Sequence, residues 1–287
     1  MATTVPSGVQ PAPPASSTAT VFAVANQKGG VAKTTTTLSL AGAMAAQELA
    51  VLVVDLDPQS CATFALGFDP DALEPTVEDV LSGRAGLAAT VRQHPETDLV
   101  PASIDLAGAE VALLTRPGRE YALSAELEPL RETYDAILVD CPPSLGVLPL
   151  NALTAADRAL VPLQCETLSH RGVSQLLETI ADVQRLTHRG LEVAGLVATM
   201  FDGRTRHARA VVADVTERYG LPLLGVPVRK SVRFAEANNR GVTIHAHEPG
   251  VPGAAAYRVL AAELLGLPVD PDDRARAQGR QQTKASP

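Results

Sequence analysis

Ten residues, Asn26-Gln27-Lys28-Gly29-Gly30-Val31-Ala32-Lys33-Thr34-Thr35, constrain the fold more than any other part of the chain. They follow the compact apolar run 20–26 and lead into TTTTLSLAGAMAAQELA, where Leu, Ala and Met recur at helical spacing. A strand that passes through two glycines directly into a helix turns successive backbone N–H groups towards one point. The helix adds the positive end of its dipole there. Such a turn binds an anion, and phosphate suits it. Lys33 is placed to reach terminal phosphates, and the Thr34 hydroxyl to ligate Mg²⁺. The strict pattern G-x-x-x-x-G-K-[ST] is not met, because Gln27 and Ala32 occupy its glycine positions. Lys28 is a cation that the plain pattern lacks.

The rest of the chain repeats this alternation. Apolar runs at 51–57, 136–144, 158–164, 191–201 and 222–228 read as strands, and 169–189 and 208–220 have helical periodicity. Near-continuous apolar strands between helices predict one α/β domain, a mostly parallel twisted sheet with helices on both faces. Ligands in such sheets sit at the carboxyl ends of the strands. The residues with chemistry to offer fall there: Lys28–Thr35, then Asp55 and Asp57, then Asp140. Residues 1–20, rich in Pro, Ala, Ser and Thr, and the polar stretch 268–287 cannot bury enough apolar surface to order themselves. The folded unit is therefore expected over 21–267, between two disordered ends.

Composition narrows the function. A net charge of −8 argues against a protein that coats nucleic acid over its whole surface, though a local basic patch remains possible. The three cysteines include no C-x-x-C pair and read as reduced thiols in a cytoplasmic protein. No segment approaches the ~18 continuous apolar residues of a membrane span.

These motifs together resemble the ParA/MinD family of ATPases, a deviant branch of the P-loop NTPases. The first block is Lys28-Gly-Gly-Val-Ala-Lys-Thr-Thr, which looks like that family's deviant Walker A. Val54-Asp55-Leu56-Asp57-Pro58-Gln59 and Leu138-Val139-Asp140-Cys141-Pro142-Pro143-Ser144 follow. Asn151-Ala152-Leu153, Val161-Pro162-Leu163-Gln164-Cys165-Glu166 and Val232-Arg233-Phe234-Ala235-Glu236-Ala237 complete the series in the family's order, nearest to its ParA/Soj partition branch. The resemblance implies ATP and Mg²⁺ as cofactors, bound by Lys28, Gly29, Gly30, Val31, Ala32, Lys33, Thr34 and Thr35. Lys33 would hold the β/γ-phosphates, Thr34 the metal, and Thr35 would approach the α-phosphate. Lys28 would reach across an ATP-dependent homodimer. Asp57 would orient the attacking water, Asp55 support the Mg²⁺ shell, and Asp140 hold the metal through water.

Residues 200–240 carry eight Arg and Lys against four Asp and Glu, a local +4 in an acidic chain. Such a patch gives salt-sensitive, sequence-independent affinity for nucleic acid. Aromatic residues are 3% of the chain and Trp is absent, which disfavours base stacking on single strands. The family's partition branch binds double-stranded DNA in this region, and Arg204 and Arg233 match best, with Arg229 and Lys230 as secondary candidates. The block Val226-Pro227-Val228-Arg229-Lys230-Ser231 departs from the branch's more usual Ile-Pro-Arg-x-Val-Arg. The implied function is DNA partition at the nucleoid, with hydrolysis stimulated by a ParB-like protein. A relative that positions a protein cargo on the nucleoid is the main alternative. A MinD-like membrane switch would need an apolar C-terminal helix face that the residues after Leu267 do not supply.

Overall fold

Apolar runs long enough to be covered on both sides become the strands of one sheet. The computed structural model describes residues 18–165 and 169–279. The strands are β1 (Thr20–Val24), β2 (Val51–Asp55), β3 (Asp98–Val100), β4 (Ala136–Asp140), β5 (Arg158–Gln164) and β6 (Glu192–Thr199). They form a parallel sheet in the order β3-β2-β4-β1-β5-β6. Register places Val24 and Asp55 both opposite Asp140. Three pieces far apart in sequence thus end at one level on the carboxyl edge, where the glycine turn begins.

Side chains alternate between the faces along each strand. Val21, Ala23, Leu52, Val54, Ile137 and Val139 pack on one side with residues of the helices Val147–Ala155 and Ser169–Leu186. Phe22, Val24, Val51, Val53 and Leu138 pack on the other with α1 (Lys33–Ala45) and the helix Pro252–Leu265. The result is three layers with the sheet in the middle. α1 is buried along most of its length, so its threonines need internal partners. Thr36 Oγ1 finds one in the hydroxyl of the fully buried Tyr257, at 3.0 Å.

Three expectations are corrected. Residues 222–228 do not form a regular strand. They run beside β6 with isolated bridges at Leu223 and Arg229, because Pro222 and Pro227 lack an N–H and Gly225 adopts φ +61°. β3 was not anticipated: three residues between Pro95 and Pro101 are too short for a periodic signal. The chain is also ordered beyond 267. Pro271–Ala277 is a helix, started by Asp270, whose carboxylate accepts from Asp272 N at 2.8 Å, and by Pro at its first position. Its Asp273 is gripped by Arg258 through two bonds of 2.7 and 2.6 Å, so a charge fork docks what composition alone leaves loose. Residues 1–17 and 280–287 lie outside the described residues, as does Glu166.

Candidate functional site

The glycine turn is pinned from three sides. Asn26, the last residue of the apolar run, donates its Nδ2 to Pro162 O on β5 (2.7 Å) and accepts from Lys28 N (3.0 Å). Thr199 Oγ1, at the end of β6, donates to Val31 O (3.0 Å). Gly172 in the helix Ser169–Leu186 lets that helix approach closely: a Cβ there would lie 3.1 Å from Asn26 Oδ1 and 3.7 Å from Lys28 Cβ. Gly30 takes φ +73° and Ala32 takes φ 63°.

At Ala32 the left-handed conformation costs an L-residue about 1 kcal/mol that glycine would not incur. Ala32→Gly is therefore expected to stabilise the protein by about 0.5–1 kcal/mol after the entropy of the added glycine is counted, a rise of roughly 1–3 °C in Tm. A calorimetric scan checks it.

Lys33, the first residue of α1, is buried, and its Nζ donates to Lys28 O at 3.3 Å. Burial lowers its pKa from the ordinary ammonium value, while the charges of Asp140, Cys141 and Asp57 work against that shift. A cation drawn out of water beside a turn of backbone N–H groups is set to take a phosphate, whose charge offsets the lost hydration. Thr34 Oγ1 donates to Asp140 Oδ2 at 2.6 Å. Thr37 Oγ1 lies 3.0 Å from Asp140 Oδ1 and 3.1 Å from Lys33 O, sharing one hydrogen between them.

Asp140 and Asp55 are fully buried side by side on β4 and β2. Burial pushes Asp140 up to about 7, with the neighbouring Asp55 adding to the effect and the threonine hydroxyls opposing it. Burial likewise raises Asp55 to about 6, opposed by hydrogen bonds from Thr63. Asp55 is committed to shaping the next loop. Its Oδ2 accepts from Thr63 N and Thr63 Oγ1, both at 2.8 Å, and its Oδ1 from Asp57 N at 3.2 Å. Asp57, itself buried, accepts from Gln59 N at 2.9 Å. Among the described residues no three His, Cys, Asp or Glu side chains converge as a metal cage. Mg²⁺ needs none, because it keeps several waters and binds through one or two protein oxygens together with substrate phosphates. Thr34 and Asp140 supply oxygens of that kind, so the residues present fit Mg-ATP.

The proposed DNA residues lie on the sheet's other flank. A bridge between Phe201 and Arg229 sets the turn bearing Arg204 beside the segment bearing Arg229 and Lys230. Arg204, Arg229, Lys230 and Arg233 are all exposed. Arg204 forks onto Asp202 (3.0 and 3.1 Å), and Arg233 pairs with Glu236 (2.7 Å) and Glu248 (3.1 Å). Exposed pairs of this kind contribute about 0–1 kcal/mol and exchange readily for a phosphate. Arg229 is engaged differently, donating to Gln278 O at 2.8 Å.

Residues that clamp the site without a motif escaped the sequence. Thr37, Thr63 and Thr199 act through side-chain bonds that appear only in the fold. Asn26 carried a weak signal, since Asn before a turn bonds the N–H two residues on.

A parallel α/β sheet whose central strand ends in this lysine-bearing turn defines a P-loop ATPase fold. The AAA domain family matches residues 19–193. Soj of Bacillus subtilis, a sporulation initiation inhibitor protein, is 39% identical over 246 residues, covering 85% of this chain and 97% of its own. The chromosome partitioning protein ParA of Caulobacter vibrioides is 40% identical over 249 residues, covering 85% and 93%. The chain belongs to this AAA-domain family and, within it, to the Soj/ParA chromosome-partitioning ATPases. Among solved structures, one from Mycobacterium smegmatis, described as cobyrinic acid a,c-diamide synthase with bound ATP analog and magnesium, is 49% identical. It covers 86% of this chain and 94% of its own, with TM-score 0.77. The ATP complex of a Cyanothece McdA variant is 25% identical with TM-score 0.80, covering 88% and 98%. Among the described residues no helix is long and apolar enough to cross a membrane.

Proposed function

We propose that this chain is a partition ATPase: it binds Mg-ATP at residues 28–35, closes into a homodimer around the nucleotide, and in that state holds double-stranded DNA without regard to sequence. Hydrolysis, stimulated by a ParB-like protein, releases the DNA. The observation that carries the proposal is the buried Lys33 ammonium beside the Lys28 carbonyl, with Thr34 tied to Asp140. Lys33 neutralises charge on the β/γ-phosphates, and Lys28 of one subunit serves the nucleotide of the other, in the manner of an arginine finger. Bound Mg²⁺ would polarise the phosphate oxygens from the side of Thr34 and Asp140. Asp57, held on the loop that Asp55 shapes, orients water for in-line attack. ATP favours the dimer because both subunits contact it, which is the differential affinity that a shift in assembly requires. The protein acts in the cytoplasm at the nucleoid.

Arg233→Glu tests the DNA face. Reversing one phosphate contact is expected to lower ATP-dependent DNA affinity by about tenfold at moderate salt. Unchanged retention would place the contact elsewhere.

The 49% identity to the Mycobacterium smegmatis structure raises a second reading, ATP-dependent amide synthesis. Glutamine-fed amidation uses a thiolate nucleophile. Burial pushes the Cys165 thiol up to about 11 and holds Cys141 far above the usual range, and the Cys61 thiol is also raised. That chemistry disfavours the second reading, and turnover of ATP in the absence of any amine or acid acceptor separates the two.

A further inference from the structure

Arg229 has a partner that a simple DNA contact does not explain. Its Nη2 donates to Gln278 O at 2.8 Å, and a Cβ built on Gly279 would lie 2.7 Å from its Nη1. Gln278 and Gly279 follow the helix Pro271–Ala277, so the guanidinium caps the end of that helix, where a cation is favoured. Gly279 takes φ +73°, and only a residue without a side chain allows this approach. The helix is fixed at its other end by the Arg258–Asp273 fork, and Asp273 and Ala277 are buried. The chain's course after the helix is thereby set beside Arg229. Arg229 pairs with Phe201 next to the Arg204 turn and is followed by the exposed Lys230.

The charge of what is delivered there is one-sided. From residue 274 to 287 the sequence holds Arg274, Arg276, Arg280 and Lys284 and no acidic residue. Arg274 and Arg276 are exposed. They pair with Glu263 at 2.6 Å and with Asp273 at 3.5 Å, contacts of the weak surface kind. We propose that residues 274–287 form a basic segment, steered by Arg229, that adds phosphate contacts to the surface of Arg204, Lys230 and Arg233. Arg229 is then a positioning residue, in place of the direct DNA contact the sequence suggested. The proposal rests on the DNA reading above. It goes beyond that reading in assigning part of the affinity to the C-terminal helix and the residues after it.

The test is a salt titration of DNA binding in ATP for three proteins: the full chain, a chain ending at Gly279, and Arg229→Gln. Removing Arg280 and Lys284 is expected to reduce the slope of log affinity against log salt by about 1–2, since each phosphate contact accounts for about 0.9. Arg229→Gln should reduce it in the same direction while leaving the melting temperature within a few degrees. Wild-type slopes in both variants overturn the proposal and leave the DNA reading standing. A fall in the truncated chain alone overturns the steering role of Arg229. Tighter binding on truncation overturns it as well, since the segment would then cover the surface. A full chain that fails to bind DNA in ATP overturns the DNA reading, and the basic segment with it.

Discussion

Lys33→Ala is expected to abolish phosphate release, by about 100–1,000-fold or more, and to weaken ATP binding. The size follows from the setting. A charge aimed at phosphate in a water-poor turn is worth far more than one in solvent, and loss of a single preorganised stabilising group costs two to three orders of magnitude. No neighbour can substitute. Lys28 lies on the same turn but contributes to this pocket through its carbonyl, which accepts from Lys33 Nζ. Stability should move the other way or hardly at all. The Lys33 ammonium is already desolvated enough to lower its pKa, so deleting it removes a burial cost along with one hydrogen bond. A single-turnover phosphate-release assay beside a thermal melt checks both. Lost turnover with an intact melt is the expected pair, whereas substantial turnover would mean that another cation holds the phosphates.

The second large effect is at Asp57. Asp57→Ala should slow hydrolysis by about 100-fold or more, the usual share of a positioned acid–base or water-orienting group. ATP binding should survive, because the phosphate contacts come from residues 28–35. The variant should therefore stay in the ATP state and hold DNA longer than the wild type does. Asp55→Ala should behave differently. It would unfasten Thr63 and the Asp57 amide together, so it should lower stability as well as rate. Equal phosphate release from Asp57→Ala and wild type would remove Asp57 from the reaction.

Much of this was legible in the residues because parallel strands are written as continuous apolar runs. The runs at 20–26, 51–57, 136–144 and 158–164 contain β1, β2, β4 and β5, and the 158–164 run is β5 itself. Lys33, Thr34, Asp57 and Asp140 were legible because the turn and the strand ends are local features. What failed was set by partners distant in sequence. The Thr34–Asp140 bond spans 106 residues and the Thr199–Val31 bond 168, and neither threonine shows its partner in its own neighbourhood. Residues 222–228 are apolar enough for a strand, but two prolines and a left-handed glycine break the ladder. The helix Pro271–Ala277 was hidden by its polar composition, although Asp270-Pro271 is a recognisable start. Arg229 was read by charge alone, and only the fold shows that it faces Gln278.

The central claim is that ATP, and not ADP, makes this protein a DNA-binding dimer. Co-sedimentation of the full chain with double-stranded DNA, in ATP, in ADP and without nucleotide, at two salt concentrations, tests it most directly. Retention in ATP only, falling steeply at the higher salt, is the predicted result. Retention regardless of nucleotide, or none under any condition, would contradict it.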